Sequence, residues 1–580
     1  MKSSKAFVLC YFLALSICME TVLTARILFL FPLPYFTSHY RFCRTLVEEL
    51  AARGHQITAY TGFKQEKPIP NYKAVHVPLN NSAIKMKDSS VSSRWPVSHI
   101  NHLWTFFPTI AEVTLQGPEL QELMSQPNDS YDLLIVEALF TTEYLLAFGH
   151  KFGVPVVNLH PLMMSPLISK LTGAPNDMSY IPDYRYPHTD QMSFWQRVTN
   201  TAIGAYELIG GHVFYLPKQD SLMRRNFRYP GSENLPHVSD LIADISLHLI
   251  NANPLFTYSR PLPPNIIDVA GMNLKRLGKL PQDLQTFLDG ATDGAIFFSF
   301  GSRVSPSVFS PETKKVFVET MKNLTQYRII WKWTEAIDDV PDHILQRNWL
   351  PQPEILAHPN CKLFITHGGF NSLVEVMSIG KPVLGLPFFA DQFFNLAFYE
   401  QAGVGLEASL NSITVADFTE KIHRIIQTPS FLENAMTFAA RFHDQSQSSL
   451  EKAVHWVEYV IKHKGAHHLK PASLKLPFYK FLENAMTFAA RFHDQSQSSL
   501  EKAVHWVEYV IKHKGAHHLK PASLKLPFYK YLLIDVILFY LLSIFLTFYT
   551  FLWTIRNLTC QFHFVSYNNQ KCVNDDKKQK

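Results

Sequence analysis

The sequence predicts an α/β protein with two parallel-sheet domains and one transmembrane helix near the C-terminus. Strand-like and helix-like segments alternate from Arg26 to about residue 250, and a second alternating series starts near residue 286. Such alternation is typical of parallel sheets covered by helices. The third observation is an apolar run at 531–555. The chain has 580 residues, 47% of them hydrophobic, which is enough for at least two cores.

Composition argues against several functional classes. The net charge is +6, and Lys and Arg are scattered among acidic residues, so nucleic-acid binding is not indicated. Of six cysteines, only Cys43 and Cys361 lie in the body of the chain, so no disulfide framework is expected. The sequence contains no CxxC pair and no HExxH spacing, so we predict no metal site.

The first 25 residues have the pattern of a secretory signal peptide. Lys2 and Lys5 precede the apolar stretch AFVLCYFLALSIC, and small residues stand just before Arg26. An uncleaved anchor is the alternative, but the stretch is shorter than the ~20 residues that a membrane span needs.

The first domain is predicted at 26–250 and begins with a βαβ unit. RILFLFPLP and HQITAYTG have the composition of strands. Between them Phe42, Leu46 and Leu50 fall on one face of a helix that ends at Gly54. YDLLIVEAL and VPVVNLH are predicted as further strands.

A proline-rich linker is predicted at 251–285 and a second α/β domain at 286–430. The second domain contains the strand-like runs GAIFFSFGS, YRIIWKW, CKLFITHGG and KPVLGLPFF.

Residues 431–480 recur without a single change at 481–530. Structural repeats usually diverge, and stable arrays need about three or more units. The duplication therefore indicates a recent exon duplication or an error in gene prediction, and we expect a single copy to suffice for folding. Its histidines, such as His463, His467 and His468, are interpreted as a solvated helix end rather than a metal cluster.

The run at 531–555 is long enough to cross a bilayer, with Asp535 as its one charged residue. The tail, 556–580, ends in DDKKQK, which resembles the dilysine retrieval signal of endoplasmic reticulum membrane proteins. We predict a single-pass protein of that membrane, with lumenal domains and a cytosolic tail. Glycosylation sequons at Asn80, Asn128 and Asn323 are compatible with this topology, and the one at Asn557 is expected to stay unmodified.

The most informative stretch is KLFITHGGFNSLVEV, in which a strand runs directly into His367 and two glycines. Ligands bind at the carboxyl ends of parallel strands in such folds. Glycines allow the backbone to approach an anion, and a helix N-terminus at Asn371 and Ser372 favours negative charge. A tight turn with a histidine cap is the alternative from this stretch alone.

Neighbouring residues favour a nucleotide sugar. Glu375 lies four residues after Asn371 on the same helix face, and a carboxylate there can accept two ribose hydroxyls. Trp349 and Gln352 offer a stacking ring and an amide for a nucleobase. The remaining polar groups are predicted to contact sugar hydroxyls and phosphate: Asp391, Gln392 and Ser302.

The run WLPQPEILAHPNCKLFITHGGFNSLVEVMSIGKPVLGLPFFADQ resembles the signature of the membrane-bound animal UDP-glycosyltransferases, in particular their invertebrate members. In outline, the resemblance covers nearly the whole chain. It implies the GT-B fold, in which two Rossmann-like domains face each other across a cleft. The N-terminal domain would bind the acceptor, and the C-terminal domain would bind the UDP-sugar.

The resemblance also implies residue roles in the donor site. Trp349 and Gln352 would contact uracil, Glu375 the ribose, and Asp391 and Gln392 the sugar. The diphosphate would be held by Ser302, His367, Asn371 and Ser372, with Gly369 allowing close approach of the backbone. Arg260 is a further candidate donor contact.

The motif SHY matches the position of the family's catalytic base and assigns that role to His39. Outside this context, a single loop histidine would be interpreted as structural. The orienting acid is expected in YDLLIVEAL, where Glu137 stands in the place of the aspartate common in vertebrate members. Asp132, at the start of the same strand, is the second choice.

The implied reaction is inverting transfer of a hexose, with glucose from UDP-glucose favoured, to small lipophilic hydroxyl compounds in detoxification. No metal or cofactor beyond the co-substrate is implied. The alternatives are transfer of glucuronic acid, an endogenous lipid or hormone acceptor, and a non-catalytic lipophile-binding protein of the same fold. Assembly into a homo-oligomer is left open.

Overall fold

The computed structural model describes residues 24–79, 96–301, 304–471 and 497–578, and side chains as far as residue 559. The predicted signal peptide up to residue 23, Asn80 and Ser302 lie outside these ranges.

The N-terminal domain is built on a seven-stranded sheet in the order β3-β2-β1-β4-β5-β6-β7. Every neighbouring pair in this sheet is parallel. The strands are β1 (Arg26–Phe31), β2 (Gln56–Thr61), β3 (Tyr72–His76), β4 (Leu133–Val136), β5 (Val156–His160), β6 (Leu247–Ile250) and β7 (Ile266–Asp268). Residues of β4 and β6 are buried throughout, as expected for a sheet covered on both faces.

Helices cover this sheet on both sides. They are α1 (Thr37–Ala52), α2 (Pro96–Leu115), α3 (Pro118–Ser125), α4 (Ala147–Phe152), α5 (Pro166–Thr172), α6 (Phe194–Gly210), α7 (Leu216–Asn226) and α8 (Val238–Asp244). The predicted helical face of Phe42, Leu46 and Leu50 is confirmed, because all three side chains in α1 are fully buried. A π-helical turn at Gly211–Tyr215 joins α6 to α7.

The C-terminal domain has a six-stranded parallel sheet in the order β10-β9-β8-β11-β12-β13. The strands are β8 (Ala295–Ser299), β9 (Arg328–Lys332), β10 (Ile344–Arg347), β11 (Cys361–Thr366), β12 (Val383–Gly385) and β13 (Gly405–Glu407). The helices from the linker onward are α9 (Pro254–Thr257), α10 (Gln282–Asp289), α11 (Pro311–Asn323), α12 (Gln352–Ala357), α13 (Phe370–Ile379), α14 (Gln392–Gln401), α15 (Val415–Gln427) and α16 (Pro429–His443).

The linker is shorter than the predicted 251–285. Residues Ile266–Asp268 form β7, which pairs with β6 and completes the N-terminal sheet. At the other end, Leu284 and Leu288 of α10 pack into the core of the C-terminal domain. Proline density marks the connection between the domains, but it does not show which flanking residues still find a hydrogen-bonding or packing partner.

The C-terminal domain likewise does not end at residue 430. Helix α16 adds Phe438 and Phe442 to the core that contains Phe370. The chain then returns to the N-terminal domain, where α17 (Ser449–Lys462) packs against α1 and β6. The remaining helices are α18 (Ser499–Lys512), α19 (Phe528–Tyr531) and α20 (Ile534–Lys578).

The first part of α20, Ile534–Thr559, is apolar and long enough to cross a membrane, and only 6% of its most apolar window is buried. This candidate span starts three residues later than predicted and extends four residues further. Its one acidic residue has a partner in the N-terminal domain, because Arg197 of α6 donates a hydrogen bond from Nη2 to Asp535 Oδ2. Tyr540 also donates a hydrogen bond of 2.8 Å to the Val198 carbonyl.

Candidate active site

A buried histidine–carboxylate pair lies at the carboxyl end of β4. His39 belongs to the first turn of α1, and Glu137 follows the last residue of β4. The distance from His39 Nδ1 to Glu137 Oε1 is 2.6 Å, and both side chains are buried. Burial raises the pKa of Glu137, and His39 acts in the opposite direction. Because Nδ1 is engaged, Nε2 is the ring nitrogen available to a substrate.

Aromatic side chains hold the imidazole in place. The Phe36 ring stacks on His39 at 5.1 Å between centroids, and the Phe140 ring packs at 5.1 Å with a tilt of 58°. Both rings restrict rotation of the imidazole and exclude water from one side of it.

Asp132 does not take part in this pair. Its carboxylate accepts hydrogen bonds from Arg26 Nη2 at 2.8 Å and Arg26 Nε at 3.1 Å, in an exposed position. Strand β4 separates Asp132 from Glu137 at roughly 3.3 Å per residue, so the two carboxylates lie at opposite ends of the strand. The alternative assignment of the orienting acid to Asp132 is therefore wrong.

The glycine turn after β11 closes tightly around His367. A Cβ atom added at Gly369 would lie 2.5 Å from His367 Nε2, and one added at Gly301 would lie 2.9 Å from His367 Cε1. Gly368 has a φ of +83°, a conformation that glycine adopts without strain. Burial lowers the pKa of His367 to about 4, with Lys332 acting in the same direction. The imidazole is therefore neutral at pH 7.

Polar side chains on α12 and α13 are joined to one another. Gln352 Nε2 donates to Glu375 Oε2 at 2.6 Å and to Ser372 Oγ at 3.2 Å. Burial raises the pKa of Glu375, while Gln352 and Arg41 lower it. The predicted contacts for uracil, ribose and phosphate thus form one cluster beside the glycine turn.

Trp349 presents an exposed indole, 65% accessible, to the cleft. Two cations from different domains approach its ring. Arg41 Cζ of α1 lies 5.5 Å from the ring centroid, and Lys332 Nζ lies 5.1 Å from it. Lys332 also donates a hydrogen bond of 2.8 Å to the Gly301 carbonyl.

Sequence reasoning missed both cations, although each carried a signal. Arg41 stands two residues after His39 in the same helix. Lys332 is the last residue of β9, at the ligand-binding end of the sheet.

Asp391 caps the N-terminus of α14, which starts at Gln392 and contacts the glycine turn. Asn395 Nδ2 donates to Asp391 Oδ2 at 2.7 Å and to the Gly368 carbonyl at 2.9 Å. Gln392 Oε1 accepts from the Phe388 amide at 2.8 Å. Burial raises the pKa of Asp391, with Asn395 and, more weakly, His39 acting in the opposite direction. Asn395 is a further residue that the sequence analysis missed; it lies one helical turn after Asp391.

The two domains meet directly at this site. Asn371 Nδ2 donates to the Ser38 carbonyl at 3.2 Å, and Asn371 Oδ1 accepts from Asn251 Nδ2 at 3.1 Å. The N-terminus of α13 is thereby placed beside the first turn of α1, which carries His39. Asn251 gave no sequence signal, because its role depends on the approach of the other domain.

Arg260 lies apart from the donor cluster. Its Nη1 donates to the Met164 carbonyl at 3.4 Å, and its side chain lines a separate cavity that includes Tyr258 and Asp268. The structure does not bring it to the other candidate donor residues. Ser302 lies outside the described residues.

Comparisons with known proteins agree with this arrangement. The family model described as UDP-glucoronosyl and UDP-glucosyl transferase matches residues 28–482 and 477–579. The UDP-glycosyltransferase UGT5 of Dactylopius coccus is 34% identical over 481 residues, which cover 81% of this chain and 89% of the relative. The UDP-glucosyltransferase 2 of the same insect is 30% identical over 469 residues, covering 80% and 89%.

Among solved structures, the glycotransferase of kitacinnamycin superposes with a TM-score of 0.50 at 14% identity, covering 76% of this chain and 100% of that one. The predicted two-domain α/β architecture is confirmed, and the fold is GT-B. The chain therefore belongs to the UDP-glucuronosyl and UDP-glucosyl transferase family and is a glycosyltransferase enzyme.

Proposed function

We propose that this enzyme transfers glucose from UDP-glucose to a hydroxyl group of small lipophilic acceptors, with inversion and with His39 as the general base. The observation that carries the proposal is the 2.6 Å contact between His39 and Glu137, at the point where α13 of the other domain meets α1. The relative named UDP-glucosyltransferase 2 supports glucose as the transferred sugar. We propose that this enzyme serves to conjugate foreign or endogenous lipophiles.

In this reaction, the acceptor hydroxyl gives its proton to His39 Nε2 as its oxygen attacks the anomeric carbon of the sugar. The bond from that carbon to the diphosphate oxygen breaks, and UDP leaves with the electron pair. Glu137 keeps the proton on Nδ1 and stabilises the imidazolium that forms. A single displacement of this kind inverts the anomeric centre.

The chain's own groups serve the leaving diphosphate in this proposal. The N-terminus of α13 supplies backbone amides and the positive end of the helix dipole where negative charge develops. Neutral His367 and the hydroxyl of Ser372 add hydrogen-bonding groups. We therefore propose that no metal ion or cofactor is needed besides the UDP-sugar.

The donor contacts follow the cluster described above. Uracil would stack on Trp349 and Gln352 would bind its edge, while Glu375 would accept the ribose hydroxyls. Asp391 and Gln392 would bind the hydroxyls of the sugar.

Arg41 is proposed as a positioning residue that acts on the uracil site from the other domain. Replacing Arg41 by Ala is expected to raise the KM for the UDP-sugar by about 2- to 30-fold, because a cation over an indole contributes about 0.5–2 kcal/mol. Turnover at saturating donor should change much less. Steady-state kinetics with varied donor would measure both. Arg53→Ala, at the far end of the same helix, is the matched control, and an unchanged KM in Arg41→Ala would contradict the role.

For the location, we propose the endoplasmic reticulum membrane with both domains in the lumen. The Arg197–Asp535 ion pair joins α6 to the start of the candidate span. The outer face of α6 is apolar and exposed at helical spacing, at Trp195, Tyr206 and Ile209. This face continues from the point where Trp195 packs on Phe539 of α20, so it suits the bilayer surface. The sequons at Asn128 and Asn323 are also exposed.

A donor panel tests the proposed function. Microsomes containing the full chain are incubated with one phenol and with UDP-glucose, UDP-glucuronic acid or UDP-galactose, and released UDP is measured. We expect release to be fastest with UDP-glucose and to depend on the phenol. A preference for UDP-glucuronic acid would replace the proposed sugar. No acceptor-dependent release from any donor would favour a lipophile-binding protein.

A further inference from the structure

The two copies of the repeat form the same local structure in different surroundings. Segments 448–470 and 498–520 have identical sequences. Each contains a helix that begins with the same capping box, at Ser448 and Glu451 or at Ser498 and Glu501. Each ends in a short 3₁₀ turn. The helices therefore form whether or not their apolar face is covered.

Only the first copy buries its valine face. Val454, Val457 and Val460 of α17 are fully buried in the hydrophobic core that contains Phe42 and Leu46 of α1. We call the surface of α1 and β6 that α17 covers the docking site. Beyond the helix, Lys470 Nζ of the first copy reaches Asp244 Oδ1 at 2.9 Å.

The same side chains in the second copy are exposed. Val504, Val507 and Val510 of α18 are 46%, 61% and 44% accessible, although their sequence equivalents in α17 are completely buried. This copy makes other contacts with the body of the protein: Ser259 Oγ donates a hydrogen bond of 2.6 Å to the Leu519 carbonyl, and the Tyr509 side chain is buried. Asp444 accepts hydrogen bonds from Lys512 at 3.0 Å and from His513 at 2.7 Å. None of these contacts covers the valine face of α18.

We propose that the two copies compete for the docking site, so that segment 498–520 replaces segment 448–470 in a fraction of the molecules. The contacts made within the site would be identical, because every side chain is the same. When the first copy is docked, residues 471–533 follow it before α20, and when the second copy is docked, residues 444–497 precede it after α16. The statistical weight of a loop falls only with about the three-halves power of its length, so the loop lengths by themselves make the two arrangements differ by about tenfold or less.

The exchange changes the number of residues between the docked copy and the candidate membrane span. With the first copy docked, residues 471–533 lie between that copy and α20 in the sequence. With the second copy docked, only residues 521–533 lie between that copy and α20.

Aspartate substitutions in each copy of the full-length enzyme test the competition. Three variants are compared by their half-life of inactivation at a fixed elevated temperature: Val457→Asp, Val507→Asp and the double variant that carries both, called the pair. We expect each single variant to keep a half-life within about tenfold of the parent enzyme, since the other copy docks. The pair should inactivate at least about 100-fold faster, because neither copy then fills the core. The proposal is overturned if Val457→Asp alone matches the pair, or if the pair matches the parent enzyme.

Carbodiimide crosslinking gives a second readout that leaves the core intact. The Lys470→Arg variant lacks the lysine that contacts Asp244. A zero-length crosslink from Asp244 to the equivalent position of the repeat can then form only with Lys520 of the second copy. The reciprocal variant, Lys520→Arg, is the control and should link Asp244 to Lys470. We expect both products by mass spectrometry. Absence of the Asp244–Lys520 product, with the control product present, would overturn the exchange.

Discussion

Replacing His39 by Ala is expected to lower kcat by about 10²–10⁴-fold, the usual contribution of a general base. The affinity for UDP should be unchanged, because His39 is not among the candidate uridine and phosphate contacts. Initial rates of UDP release at saturating donor and acceptor would measure the first effect, and calorimetric titration with UDP the second. His423→Ala, on α15 outside the site, is the matched control.

Two outcomes would contradict this assignment. If His39→Ala kept more than a tenth of the parent turnover, another group would have to remove the acceptor proton. If the variant lost UDP binding to the same extent as activity, His39 would be acting through domain closure instead of proton transfer. The neighbouring contact between Ser38 and Asn371 makes this second outcome worth measuring.

Replacing Glu137 by Gln is expected to lower kcat by about 10³–10⁴-fold, although the side chain keeps its size. The amide can donate a hydrogen bond to Nδ1 of His39, which leaves the proton of the neutral ring on Nε2. In that tautomer, Nε2 cannot accept the acceptor's proton. The negative charge that stabilises the imidazolium is also lost.

Glu137→Asp separates charge from geometry. It keeps the carboxylate but shortens the side chain, which lengthens a contact that is now 2.6 Å, so we expect activity between that of the parent enzyme and that of Glu137→Gln. Thermal unfolding of both variants would check that the buried site still folds. Equal activity of Glu137→Gln and the parent enzyme would remove Glu137 from the mechanism.

Much of the fold, and the grouping of candidate residues around the glycine turn, could be predicted from the sequence, since the signals are local. The βαβ alternation and the buried face of α1 repeat within one or two helical turns. The glycine turn at 367–369 lies between a strand and a helix that are contiguous in the chain. Ser372 and Glu375 lie on one turn of α13, and the structure joins Gln352, at the start of the preceding helix, to both by hydrogen bonds.

Contacts between segments that are distant in the sequence could be identified only from the tertiary structure. Asp132 and Glu137 occupy the same predicted strand, and only the position of α1 shows which of them faces His39. The approach of Arg41 to Trp349 depends on how the two domains meet across the cleft. The placement of β7 in the N-terminal sheet depends on an open edge beside β6 that the linker sequence does not reveal.

The duplicated segment shows most clearly what the sequence determines and what the tertiary structure decides. By itself, the sequence determined that residues 448–470 and 498–520 form the same capped amphipathic helix, because capping and periodicity are properties of the segment. The tertiary structure alone decided that Val457 is buried and Val507 exposed. Burial depends on a surface that belongs to another part of the chain, and that surface has room for one copy at a time.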